Sequence, residues 1–510
     1  MAAITPAISA LPLNMFVRTT LSVVLFFLLP MNAWPQEVVR MGLSTAPVTL
    51  HPLFATDAVS ERIDRLLYER LVDFDDRYRP VPALADWEEI DPTHYRFTLR
   101  GAHRFHDGTP LTAADVQATY AYVLDAAHAS PHRQTVSMIA EIKTQNERQI
   151  DFILTRPDPL FPGRMTLGIV PARVLSADAE ALRRHPLGSG PLRFVAWPDE
   201  THLILERVAD HARVEFLVVP NPVVRALKIA RGEIDLLQGD LLPELYRWLQ
   251  QRPQIRLQKR AGDTVAYLGF NMDDPALRDV RVRTAIAQAI DREAIIHQVL
   301  DGDARPANGV LPPNHWAGAG DAPGRRYDPM AARAVLAAAG YGPARPLRLV
   351  YKTSSDPLRV RLASIFQQQL QDVGVEVDLR SNDWGTFYDD IKAGRFQMYG
   401  LSWVGLKLPD IYRYAFHSGS VPPAGANRGR YKSGQVDALL DQADRADSVD
   451  RQQSIYHDIA AILLQELPIV PLWYEDVVAV MRGDVRGYTL SPDGNYDGLV
   501  TIRHGGRTNN

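Results

Sequence analysis

The chain of 510 residues contains no cysteine, which excludes disulfides, thiolate metal sites, a cysteine nucleophile and a lipidated amino-terminal cysteine together. It has no excess of charge of either sign. Its 56 Lys and Arg face 60 Asp and Glu, a formal charge of −4, so nucleic acid is not expected as a partner. No Gly/Ser-rich or Pro-rich linker, internal repeat or low-complexity tract divides the chain, and domain boundaries must be sought at strand crossings. Catalytic signatures are missing as well: there is no G-x-S-x-G elbow, Walker A loop, H-E-x-x-H helix or G-x-G-x-x-G after a strand. Gly318, Gly320 and Gly324 lack a preceding strand and read as a loop. His103 and His106, in HRFHDGT just before a turn, are not placed together on a helix and read as surface or hinge-loop histidines. No catalytic residue, metal ligand or cofactor is predicted.

What is present describes a soluble globular protein, with 46% apolar and 23% charged residues. Its length calls for more than one core. Near the start, Arg18, the apolar run Leu21–Leu29 and Ala33 form a signal-peptide pattern. That run is too short for the roughly 20 residues of a membrane span. The reading is a signal peptide over residues 1–36, cleaved near Ala33, with translation starting at Met1 or Met15. The exported chain, having no cysteine, is not a lipoprotein.

After residue 36 short β-type runs alternate with helices, the pattern of an α/β protein. Leu347, Leu349 and Tyr351 share one strand face, a helix follows over 357–373, Gly374 stops it, and Val375, Val377 and Leu379 alternate again, so a βαβ crossover in a parallel sheet is predicted. Asp328, Pro329 and Gly340 mark the cap, first turn and end of a helix. Thr112 and Asp115 form a capping-box pattern. A single helix is predicted over Val282–Val299. Asp107-Gly108 suits a tight turn, Gly188 and Gly190 suit conformations denied to other residues, and Arg281, Arg283 and Asp291 read as a solvated or salt-bridged face.

Five segments in order carry a resemblance: TLHPLFATDAVSERIDRLLYERLVDFD with the following PVPALADWE and YRFTLRGAHRFHDGTPLTAADV; GSGPLRF; LKIARGEIDLL; YLGFNMDDPALRDVRVRTAIAQAIDREAII; and ELPIVPLWY. Together they resemble the extracellular solute-binding family 5, which includes dipeptide-, oligopeptide- and nickel-binding proteins. The resemblance implies a two-lobed periplasmic-binding-protein clamp (type II, cluster C). Lobe I is expected over 37–265 and 479–505, with a subdomain inserted at about 55–185, and lobe II over 266–478. The crossings are expected near Ala266–Asn271 and Pro471–Val478. The implied function is not enzymatic: it is capture of a peptide or peptide-like solute in the periplasm by a monomer that delivers it to the permease subunits of an inner-membrane ABC transporter. A metal complex, haem, opine or oligosaccharide is the alternative solute, and an exported hydrolase the alternative class.

In the peptide-binding members an extended ligand lies between the lobes like an added strand. The matching segment here runs from Tyr399 to Asp410 and includes Ser402, Gly405, Leu406 and Lys407. Trp403 falls on the family's pocket tryptophan. Three residues later, where peptide binders carry an aspartate for the peptide ammonium, stands Leu406, so a free amino terminus lacks its usual partner. Asp410 is the candidate replacement, and Leu406→Asp is expected to restore affinity. On lobe I the wall would be Ala46–Thr49, with Val48 and Thr49 as contacts. Asn271, Trp384 and the Arg428–Tyr431 segment complete the expected cleft.

Overall fold

In the computed structural model, which describes residues 37–320 and 322–505, eleven strands share one mixed sheet. In chain order they are β1 (Val38–Leu43), β2 (Leu192–Asp199), β3 (His202–Arg207), β4 (Arg213–Val218), β5 (Leu236–Gln238), β6 (Ile255–Phe270), β7 (Ala304–Pro306), β8 (Leu347–Ser354), β9 (Val375–Asn382), β10 (Met398–Trp403) and β11 (Ile469–Arg482). Across the sheet the order is β2-β3-β4-β1-β5-β11-β6-β10-β8-β9, with β7 pairing β11. The expected signal peptide lies outside the described residues.

β6 and β11 are the two long strands, and each changes core along its length. In β6, Ile255 packs with Ile229, Leu249 and Val480, whereas Ala266, Leu268 and Phe270 pack with Ile286, Leu349 and Phe366. In β11, Val470, Leu472 and Trp473 join this second cluster, whereas Ala479 and Met481 join a large cluster built from residues such as Met41, Leu67, Phe97 and Phe216. Two irregularities break the ladder between β6 and β11, one between Arg260 and Thr264 and one opposite Pro471–Trp473. Proline has no N–H to give a central strand, and Pro471 sits at the second break. Within the first, a Cβ on Gly262 would lie 2.3 Å from the Glu475 carbonyl oxygen.

The predicted βαβ unit is present as β8, a helix over Pro357–Asp372 and β9, with β8 and β9 paired in parallel. Asp328 caps the helix Pro329–Ala338. The Thr112 N–H donates to the Asp115 carboxylate at 2.9 Å, ahead of the helix Ala113–Leu124. That helix packs on a separate antiparallel sheet, Ala85–Asp91, His94–Leu99, Gln149–Leu154 and Ile139–Thr144.

Three expectations need correction. Val282–Val299 is two helices, Val280–Ala289 and Arg292–Gln298, because Ile290 is extended and Asp291 caps the second by accepting from the Ala294 N–H. Arg283 is not solvated: it is buried, and its guanidinium donates to the carbonyls of Leu277, Arg278 and Leu467. Gly188 and Gly190 are needed for close approach and not for unusual dihedrals, since Cβ atoms there would lie 1.9 Å and 2.4 Å from the carbonyl oxygens of Leu67 and Leu66. Gly108, by contrast, does have a positive φ of 86° in its turn.

The contact at Gly188 seats the end of α1 (Ala58–Leu67). Gly188→Ala is expected to cost about 3 kcal/mol of stability through backbone overlap. Urea unfolding of the variant reads this directly, and an unchanged midpoint would contradict it.

Candidate ligand-binding cleft

α1 starts where the Asp57 carboxylate accepts from the Ser60 N–H at 2.9 Å, an N-cap that satisfies one of the free donors of the first turn. Val59, Ile63, Leu66 and Leu67 point into the core. The rest of the helix surface, with Glu61, Arg62, Asp64 and Arg65, lines a cleft of about 590 Å³. The same side of the cleft is completed by Arg70, Asp73, His132, Arg164, residues 166–168 and Asp493; facing them are Val404, Gly405 and Lys407 from the loop after β10. The volume suits a small solute.

The walls are densely charged. Lys407 Nζ lies 2.5 Å from Asp493 Oδ2 and 3.8 Å from Asp263 Oδ2, 5.2 Å above the Tyr78 ring. Burial opposes charge on both carboxylates, with different outcomes. At Asp493 the Lys407 charge and hydrogen bond, with donors from Ser491 and Asn495, prevail and hold it down at about 2. At Asp263 burial prevails and pushes it up to about 6. His315 holds the backbone of this loop: its Nδ1 accepts from the Ala317 N–H at 3.0 Å, which leaves Nε2 to donate to the Lys407 carbonyl at 3.1 Å. Arg65 is clamped between Asp73 at 2.6 Å and Asp497 at 2.7 Å. Arg164 pairs with Asp158 at 2.7 Å and with Asp410 across the cleft mouth. Arg70 donates to the Arg65 carbonyl at 3.1 Å, and burial beside the Arg65 charge lowers it to about 10.

Of the residues expected in the site, Gly405 and Lys407 line this cleft, and Gly405 adopts the left-handed region with φ 68°. Leu406 is half-buried, packs on the apolar cluster around Leu311 and Tyr412 and does not line this cleft. Asp410 already has Arg164 as its partner. Trp403 stacks on Tyr267 at 5.9 Å, with the Arg428 guanidinium 4.7 Å from its ring. These groups share a separate pocket of about 20 Å³ with Tyr399 and Tyr431, room for about one water. Ser402 meets Arg359 and Glu475. Asn271 donates to the carbonyls of Gly394 and Phe396, a structural task. Trp384 is exposed and stacks on Tyr388 at 5.4 Å. Val48 is exposed and Thr49 buried, and both backbone N–H groups donate to Ser60 Oγ. His103 and His106 are engaged by Glu69 and the Gly190 carbonyl. Sequence reading missed the α1 residues. The signal was Asp64 itself, a carboxylate set among Val59, Ile63 and Leu67 on an amphipathic helix.

The charged cleft has walls carried by different cores and room for a small solute. Residues 77–422 match the bacterial extracellular solute-binding proteins, family 5, and the chain belongs to that family. It is a non-catalytic substrate-binding protein of ABC import. The probable di/tripeptide-binding protein 5 of Pseudomonas aeruginosa is 27% identical over 475 residues, covering 85% of this chain and 89% of its own. Among solved structures, NikZ from Campylobacter jejuni with Ni(L-His) superposes with a TM-score of 0.78 at 23% identity over 92% of this chain and 99% of that one. AppA from Bacillus subtilis with a nonapeptide gives 0.76 at 23% identity, over the same 92% and 99%. Both share the mixed α/β fold of this chain.

The paired carboxylates make a pH prediction. With its folded pKa raised to about 6, Asp263 binds its proton more tightly in the folded state, so its effect on stability becomes unfavourable as pH rises from about 4 to above 6, by about 2–3 kcal/mol. Asp493, held at about 2, keeps its favourable contribution throughout that window and loses it only in stronger acid. Relative to wild type, Asp263→Asn is expected to gain stability between pH 4 and pH 7.5. Denaturant unfolding at both pH values checks this, and a constant difference between the two proteins would contradict it.

Proposed function

We propose that the chain is exported to the periplasm, closes as a two-lobed clamp around a peptide or peptide-like solute, and hands it to an inner-membrane permease. The carrying observation is the 590 Å³ cleft, whose walls belong to different cores and are bridged at its margins. Lys407 reaches Asp493, Arg164 reaches Asp410, and Leu408 lies beside Gly163. Such contacts suit a closed clamp, with residues 37–265 and 479–505 as one lobe, 266–478 as the other, and the β6–β11 crossing as the hinge. Relatives named as di/tripeptide-binding, oligopeptide-binding and periplasmic support the solute class and compartment. Backbone hydrogen bonding along an extended ligand is the economical way to accept varied side chains.

Native mass spectrometry of protein taken from the periplasm is expected to show bound peptide mass, and solution scattering to show a smaller radius of gyration with that ligand than without it. Identical scattering at saturation would overturn the clamp. Amino-terminal sequencing of the same protein is expected to begin between Asn32 and Glu37; an uncleaved chain in the membrane fraction would overturn export.

A further inference from the structure

Leu406 leaves a ligand's positive end without its family partner, and the α1 wall contains a carboxylate without a partner of its own. Asp64 lines the cleft and is only 5% exposed, yet neither of its carboxylate oxygens has a hydrogen-bond partner. Buried carboxylates are ordinarily paired or hydrogen-bonded, as Asp73 is by Arg65 and Asp493 by Lys407 in these same walls. Asp64 instead has like charge around it. Glu61 lies one turn earlier and Asp57 caps the helix, and burial followed by these two charges pushes Asp64 well above the usual carboxylate range. The cations nearest in sequence are engaged elsewhere, Arg65 with two aspartates and Arg62 over the Tyr496 ring at 5.5 Å. The Asp64 carboxylate is desolvated, and none of the cations lining the cleft hydrogen-bonds to it.

We propose that Asp64, on the wall facing the 404–407 loop, receives the cationic nitrogen of the solute, an ammonium of the kind a free peptide amino terminus carries. The assignment rests on the cleft being the solute site. Entry of an ammonium gives the carboxylate the charge-assisted hydrogen bonds it lacks, with Glu61 adding attraction from the same helix face. Lys407, held by Asp493, then has no part in recognising the amino end.

Calorimetry with trialanine and N-acetyl-trialanine tests this on wild type, Asp64→Asn and Glu61→Gln. Trialanine is expected to bind wild type ten- to a hundredfold more tightly than its acetylated form. Asp64→Asn is expected to erase that preference, and Glu61→Gln to reduce it severalfold. Because the asparagine removes a buried acid crowded by like charge, its thermal midpoint is expected to stay level or rise while affinity falls. A fall in both would mark a structural residue and overturn the proposal. Equal wild-type binding of the two peptides would overturn it whether or not the variants fold, and leave the solute-capture reading intact. Failure of wild type to bind either peptide would count against a peptide solute and remove the assignment with it.

Discussion

The antiparallel ladder between β6 and β11 is the constraint from which the remaining architecture hangs. It runs through twelve residue pairs, from Ile255 with Arg482 to Gly269 with Ile469. Each strand gives side chains first to one core and then to another, so one strand pair, interrupted at two irregularities, fixes the packing on both sides. Its break between Arg260 and Thr264 has a local cause. Gly262 passes too close to the Glu475 carbonyl for any side chain, and Asp263 is turned beside Tyr78 and Lys407. The irregularity thus sets both where the sheet bends and which carboxylate lies next to the cleft lysine.

Charge in the cleft is arranged by pairing across it. Lys407, Asp493, Arg164 and Asp410 satisfy one another between walls, and Arg65 is satisfied within one wall. Breaking a desolvated pair leaves a buried charge uncompensated, so these contacts favour one relative placement of the walls and disfavour intermediate ones. Residues such as Lys407 and Asp410, which in sequence invite a ligand-binding role, also pair between the walls. Asp64 and Arg70 are two cleft groups that no ion pair with another side chain satisfies.

Much of the fold could be read along the chain because local chemistry determines it. Asp328-Pro329, Asp107-Gly108 and the Leu347–Asn382 crossover each depend on neighbours within one turn or one supersecondary unit. At Gly188 and Arg283, where reading failed, the deciding partner was distant in sequence. Gly188 is explained by the Leu67 carbonyl, and Arg283 by the Leu467 carbonyl. Even Ile290, which splits a periodic helix, depends on Asp291 capping forward when nothing in the apolar spacing requires it. The site was harder for another reason: Leu406 and Lys407 are adjacent, yet one enters an apolar cluster and the other the cleft, beside a left-handed turn at Gly405.

The position of β11 late in the chain has a consequence for assembly. Ile255 waits for Arg482 and Leu236 for Met481, and the core containing Met41 and Phe97 is completed by Ala479, Leu490 and Leu499. Pairings so remote must bear their loop-closure entropy before any burial rewards it. A nascent chain that has emerged only to residue 460 therefore lacks the strand that joins its cores and cannot reach its final topology. A keystone strand placed this late makes the joining of the cores the last topological event available to the chain, a constraint written into strand order and not into any single residue.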